Sequence, residues 1–203
     1  MLATNLSSTA PTLHARRNGG AYAVEFALVL MLFMLLVFGA IELARLIYLF
    51  NTAAEVTRRA AQNAAVTDFR YGGRLREVAQ RAVFRTSPGE LPFGAPVTDR
   101  HVVIDYLALT RNGSGALTMT PIPKSAMPSC PARNRQVCSL DPNDASCIRF
   151  VRARICQPGA QDCGAVPYQT LVPLVRLPLN VPASTTIVPA QSLGFTLGSS
   201  PCT

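Results

Sequence analysis

Apolar and polar positions divide this chain into three regimes. Residues 1–20 are small and polar: they hold Ser7, Ser8, Pro11, His14, Arg16, Arg17 and two glycines, and no acid. Ala21 opens a stretch rich in Ala, Leu, Met, Glu and Arg that no proline interrupts as far as about Ala65, which predicts one long helix. Within it, Phe26–Ile41 runs for sixteen residues without a charge. With Ala21–Val24 before it and Leu43–Phe50 after it, the apolar span reaches the ~20 residues needed to cross a bilayer. Gly39 in this run reads equally as a packing contact or as a tolerated helical glycine. Beyond Tyr48 the helix becomes amphipathic, with Ala53, Val56, Ala60 and Ala64 on one stripe. Glu55 with Arg58 and Arg59 forms i,i+3 and i,i+4 pairs on a solvated face. Tyr71-Gly72-Gly73 breaks the pattern. A second helix is predicted over Arg74–Phe84, with Leu75, Val78, Ala79 and Ala82 on one face and Thr86-Ser87-Pro88-Gly89 ending it.

The third regime follows strand and turn patterning. His101–Leu109 is rich in Val, Ile, Tyr and Leu; Arg111-Asn112-Gly113-Ser114-Gly115 reads as a turn, and Ala116–Thr120 as the returning strand of a hairpin. Residues 121–146 carry five prolines and two cysteines and read as a stapled loop. Cys147–Cys156 alternates as a half-buried strand, Ile148, Phe150, Ala153 and Ile155 against Arg149, Arg152 and Arg154, with one slip near Val151. Further short strands are predicted at Leu174–Leu177, Thr185–Val188 and Leu193–Leu197.

The expected fold is therefore α+β: a long N-terminal transmembrane helix, then a small domain with a helix and a short antiparallel sheet. Three segments follow: 1–20 as a leader, 21–66 as the transmembrane and N-terminal helix, and 67–203 as the α+β domain. A secretory signal peptide would be cut after its apolar region. Here Ala40-Ile41-Glu42-Leu43-Ala44 continues as helix, so the apolar segment is expected to stay in the protein.

All six cysteines, Cys130, Cys138, Cys147, Cys156, Cys163 and Cys202, fall downstream of the apolar segment. An even number there argues for disulfides in an oxidising compartment, although six cysteines allow 15 connectivities. Zinc usually asks for closely spaced cysteine pairs, and none exists here. The net charge is +8, almost all of it from dispersed arginines, since Lys124 is the only lysine. Without a nucleic-acid-binding motif, that balance does not imply a nucleic-acid partner. Arg16 and Arg17 on the short flank of the span predict a cytoplasmic N-terminus and a domain on the periplasmic side of an inner membrane.

One carboxylate stands at the head of the apolar run. Glu25 lies in Gly19-Gly20-Ala21-Tyr22-Ala23-Val24-Glu25-Phe26, and no other charge follows before Glu42. An ionisable residue within a membrane span marks function by default; the bland alternative is an ordinary signal anchor whose Glu25 snorkels to the interface. Gly20, four residues, Glu25 and then an aromatic resembles the prepilin-peptidase site of type IV pilins. It looks most like that of the Flp pilins and of the TadE/TadF pseudopilins of the tight-adherence (Tad) pilus. The run Phe38-Gly39-Ala40-Ile41-Glu42 with Arg45 extends the resemblance to the TadE-like segment. Phe26, where Flp major pilins usually carry Tyr, and the length of the chain favour a minor pseudopilin. The resemblance implies cleavage between Gly20 and Ala21 by a prepilin peptidase, an assembly role for Glu25 and Phe26, and partners among other pilins, pseudopilins and Tad assembly proteins.

Enzyme chemistry finds little support. The only histidines are His14 and His101. His101 lies near Asp99 and Asp105 in sequence, but proximity alone makes no triad. No GxSxG, phosphate-binding loop, dinucleotide fingerprint or HExxH motif occurs. Asp141-Pro142-Asn143-Asp144 lacks the spacing of an EF-hand and reads as an Asx-type turn. No cofactor and no metal site is expected. The reading is a structural pseudopilin of Flp/Tad pilus assembly that supports surface attachment; the alternatives are an uncleaved, membrane-anchored binding or adhesive protein and an anchored hydrolase.

Overall fold

The computed structural model describes residues 19–159, 162–171, 178–196 and 202. Residues 1–18 of the expected leader and the expected strand Leu174–Leu177 lie outside the described residues. The chain forms two compact units, Met1–Ile41 and Glu42–Thr203.

Helix α1 runs from Gly19 to Val66. In the first unit its side chains are exposed from Gly20 to Leu36, with Phe26, Leu28, Val29, Met31, Leu32, Phe33 and Leu35 among them. Such a surface asks for an apolar environment. In the second unit α1 buries one stripe completely: Leu49, Ala53, Val56, Ala60, Ala61, Ala64 and Ala65. Full burial of a side chain such as Leu49 or Val56 stabilises the fold by about 1.5–3 kcal/mol. Helix α2 spans Gly72–Ala82 and turns Val78, Ala79 and Ala82 inward. It ends two residues earlier than the pattern predicted, because Phe84 takes a left-handed conformation at φ 59°.

The sheet has strands β1 (Val102–Arg111), β2 (Leu117–Pro121), β3 (Phe150–Ile155) and β4 (Thr185–Pro189) in the antiparallel order β2-β1-β3-β4. Val102, Tyr106 and Ala108 of β1 and Val151, Ala153 and Ile155 of β3 share the core with the helices. The phase of β3 is the expected one at Ala153 and Ile155 and differs at Phe150. Val151 is fully buried and Phe150 only half-buried, so the strand alternates without a slip, and the irregularity belongs to the residues before it. On the other face Asp105 pairs in register with Arg152 and accepts hydrogen bonds from Arg152 Nη2 at 2.9 Å and Arg154 Nη2 at 2.7 Å.

Two expectations are corrected. Residues 121–146 are not one loop: helix α3 occupies Pro131–Leu140, with proline in its first turn, where the missing N–H does no harm. Its buried Asn134 donates to Ile148 O and accepts from Ile148 N, as a neighbouring strand would. In the expected strand Leu193–Leu197, the described residues 193–196 are not a strand. Leu193, at φ 48°, and Gly194, at φ 80°, form a turn, and the N–H of Leu193 bonds the Ala65 carbonyl at the end of α1. The six cysteines pair as Cys130–Cys202, Cys138–Cys147 and Cys156–Cys163, closing 72, 9 and 7 residues of sequence. The first bridge ties the chain end to the N-cap of α3, and the second fastens α3 beside the start of β3.

Candidate functional site

Gly20 and Ala21 lie in the first turn of α1, with Glu25 and Phe26 one turn further on, and all four are exposed. A Cβ built on Gly20 would meet nothing within 4 Å, so packing in the folded chain does not demand glycine there. Glu25 has no hydrogen-bond or ion-pair partner among the described residues. Residues 21 and 25 are i,i+4 neighbours, so the Ala21 backbone nitrogen and the Glu25 side chain sit one helical turn apart.

In the second unit, the first turns of α1 carry a polar collar. Arg45 directs its whole guanidinium at backbone carbonyls: Nε to Phe93 at 3.0 Å, Nη1 to Gln169 at 2.6 Å and Nη2 to Ala95 at 2.7 Å. Its carbon Cζ also sits 5.3 Å from the centre of the Tyr168 ring. Glu42 lies beside it, with Arg45 Nη1 at 3.7 Å from Glu42 Oε1. The carboxylate accepts from the Tyr168 hydroxyl and, at 3.0 Å, from the Leu171 N–H. One turn on, the Tyr48 hydroxyl donates to Pro92 O at 2.9 Å. The planar, five-donor guanidinium suits this task in a way a lysine would not. Burial, and then the hydrogen bond to Glu42, push the Tyr168 phenol up to about 12.

Glu42 and Arg45 were visible in sequence only as part of a resemblance. Their partners were not, because backbone carbonyls of a Pro-rich loop leave no side-chain signature. Tyr168 was the one available signal: an aromatic in a proline-rich stretch that ends up buried. A little further along α1, the buried Thr57 hydroxyl meets Ser184 Oγ and Thr186 Oγ1, each at 2.9 Å, and so joins the helix to β4.

The groups weighed for catalysis take separate structural partners. His101 Nδ1 accepts from the Thr98 N–H at 3.0 Å, which leaves the proton of the neutral ring on Nε2, and burial holds its pKa below the usual value. Asp99 accepts from the Gly89 N–H, and Asp105 is engaged by Arg152 and Arg154. Asp141 and Asp144 each accept a backbone N–H two residues on, from Asn143 and Ser146, as in Asx turns.

These features define a class: a chain whose exposed apolar helix runs on into a disulfide-bonded α+β domain, with a single described helix long and apolar enough to anchor it in a membrane. Residues 20–62 match the family model described as TadE-like protein. The match covers 43 of the 203 residues and likens that segment alone to TadE-like proteins. The match takes in Gly20, Glu25, Glu42 and Arg45 and stops before α2 and the sheet. No curated protein and no solved structure matches the chain.

Proposed function

We propose that this protein is a minor, pseudopilin-like structural component of Flp/Tad pilus assembly. A prepilin peptidase cuts it between Gly20 and Ala21, and it supports surface attachment through the pilus. One observation carries this reading: the TadE-like match begins at residue 20, where the exposed, apolar stretch of α1 before Glu42 carries a single carboxylate at Glu25. Cleavage creates an amine on Ala21, one turn from Glu25. Either charge left alone among lipid and apolar helices is costly, so the pair favours packing with other subunits in which both are neutralised. The N-terminus faces the cytoplasm and the α+β domain the periplasm, a placement supported by Arg16 and Arg17 on one flank and three disulfides on the other. The chain acts as a protease substrate and packing partner rather than as an enzyme.

Glu25→Ala tests the role of the carboxylate. In a monomer, a charge at the bilayer centre costs about 2.5–3.5 kcal/mol and less near the interface. The variant is therefore expected to insert at least as well as the parent and to be cleaved normally, while cells carrying it make few or no pili. Pilus counts and attachment equal to the parent's would remove Glu25 from assembly and favour an uncleaved anchor.

A further inference from the structure

Phe93 is 85% exposed, an unusual setting for an aromatic in the folded domain. It is not on a loose loop. The Leu91 N–H bonds Val97 O at 2.8 Å, Gly94 N–H bonds Leu91 O at 2.9 Å, and Val97 N–H bonds Gly94 O at 2.9 Å. A Cβ on Gly94 would come within 2.4 Å of Leu91 Cδ2, so the turn is closed tightly around glycine. Phe93 itself takes φ 55°, a conformation rare for a bulky residue. The turn thus holds the ring outward at a cost in backbone strain, and strain of this kind concentrates where a side chain has work to do.

The collar fixes where that ring stands. The carbonyl of Phe93 is bound by Arg45, and the N–H of Leu171, whose side chain is 60% exposed, is bound by Glu42. Both segments are therefore tied by hydrogen bonds to residues 42–45 of α1, which directly follow the uncharged run Phe26–Ile41 in the chain. Leu43 and Ile47 of the same turns are exposed as well. Along the chain, a bilayer crossed by that run ends close to residues 42–45, in the zone where aromatic side chains are enriched and apolar faces sit shallowly among headgroups.

We propose that Phe93, with Leu171, forms a lipid-facing rim that inserts into the headgroup–acyl boundary and seats the domain on the membrane surface. The partner is the lipid surface, and the proposal rests on α1 crossing the bilayer. The collar contributes too: Arg45 binds the Phe93 carbonyl and Glu42 the Leu171 N–H, so each rim residue brings one backbone group fewer to be satisfied at the lipid boundary.

The chain has no tryptophan, so a single introduced one is a clean probe. Full-length Phe93→Trp is reconstituted in phosphatidylcholine vesicles carrying bromines at defined acyl depths, beside Leu35→Trp within the apolar run and Leu140→Trp. Leu140 is 86% exposed and its backbone contacts no collar residue. Leu35→Trp reports spanning. Phe93→Trp is expected to be quenched most by shallow bromines, at a depth of about 5–10 Å below the headgroups, while Leu140→Trp is not quenched. If Leu35→Trp is quenched and Phe93→Trp is not, the rim is wrong and the spanning helix stands. If neither is quenched, both fall; equal quenching of Phe93→Trp and Leu140→Trp also overturns the rim.

Discussion

Arg45 concentrates more of the domain's polar structure than any other side chain of α1. Three carbonyls from two separate segments converge on it, with Glu42 and Tyr168 closing the cluster. Removing it leaves three carbonyls to find new partners and takes the neighbouring cation from the half-buried Glu42 carboxylate, which keeps Tyr168 and Leu171. Arg45→Ala is expected to lower the unfolding free energy by about 3 kcal/mol or more, read by urea denaturation of the full chain in detergent. A loss under about 1 kcal/mol would make the collar no stronger than a surface ion pair. The pair Arg58–Glu55 is the contrast: Arg58, with Arg59, holds the Glu55 carboxyl down to about 2, but the pair lies on the surface, where solvent screens it, and Arg58→Ala should barely change stability. The same denaturation series carries a pH signature. Tyr168 has a folded pKa of about 12 against an ordinary value of 10.0, so its contribution is complete below pH 10 and is lost as pH rises through 12.

At the scale of elements, the turn after β4 does what a helix cap does. Leu193 and Gln191 donate to the Ala65 carbonyl near the end of α1, and Gly194 lies against Asp68. A Cβ at Gly194 would fall 2.6 Å from the Asp68 nitrogen, at φ 80°. Gly194→Ala is therefore expected to cost about 2 kcal/mol or more and to lower the melting temperature; an unchanged melting temperature would mean that the turn is not needed to close α1. Helix α1 and β3 were legible in sequence because each buries a periodic apolar face; β2, exposed along its whole length, was legible from the Asn112–Gly115 turn that returns the chain beside β1. Helix α3 was not: Val137 is its one aliphatic residue larger than alanine before Leu140, and Asn134 and the Cys138–Cys147 bridge hold it instead. Leu193–Leu197 misled for the opposite reason. Its apolar residues mimic a strand, but the backbone donor of Leu193 goes to a helix end and its side chain fills the core. Gly20 was legible by resemblance alone and Glu25 also as the one charge at the head of an apolar run, and the fold adds that neither is explained by packing within the described residues.

For the whole molecule, an exposed apolar helix leads without a break into a domain stapled by three disulfides. That division fits a protein whose two ends live in different media. A periplasm-active reporter fused after Thr203 should be active and one fused within residues 1–15 inactive; the reverse pattern would overturn the orientation. The central claim is that the TadE-like segment is matured as a pseudopilin. The most direct measurement is the N-terminal sequence of the protein recovered from membranes of cells with and without an active prepilin peptidase. The account predicts a chain that starts at Ala21 when the peptidase is active and keeps residues 1–20 when it is not. A full-length N-terminus in both would contradict it.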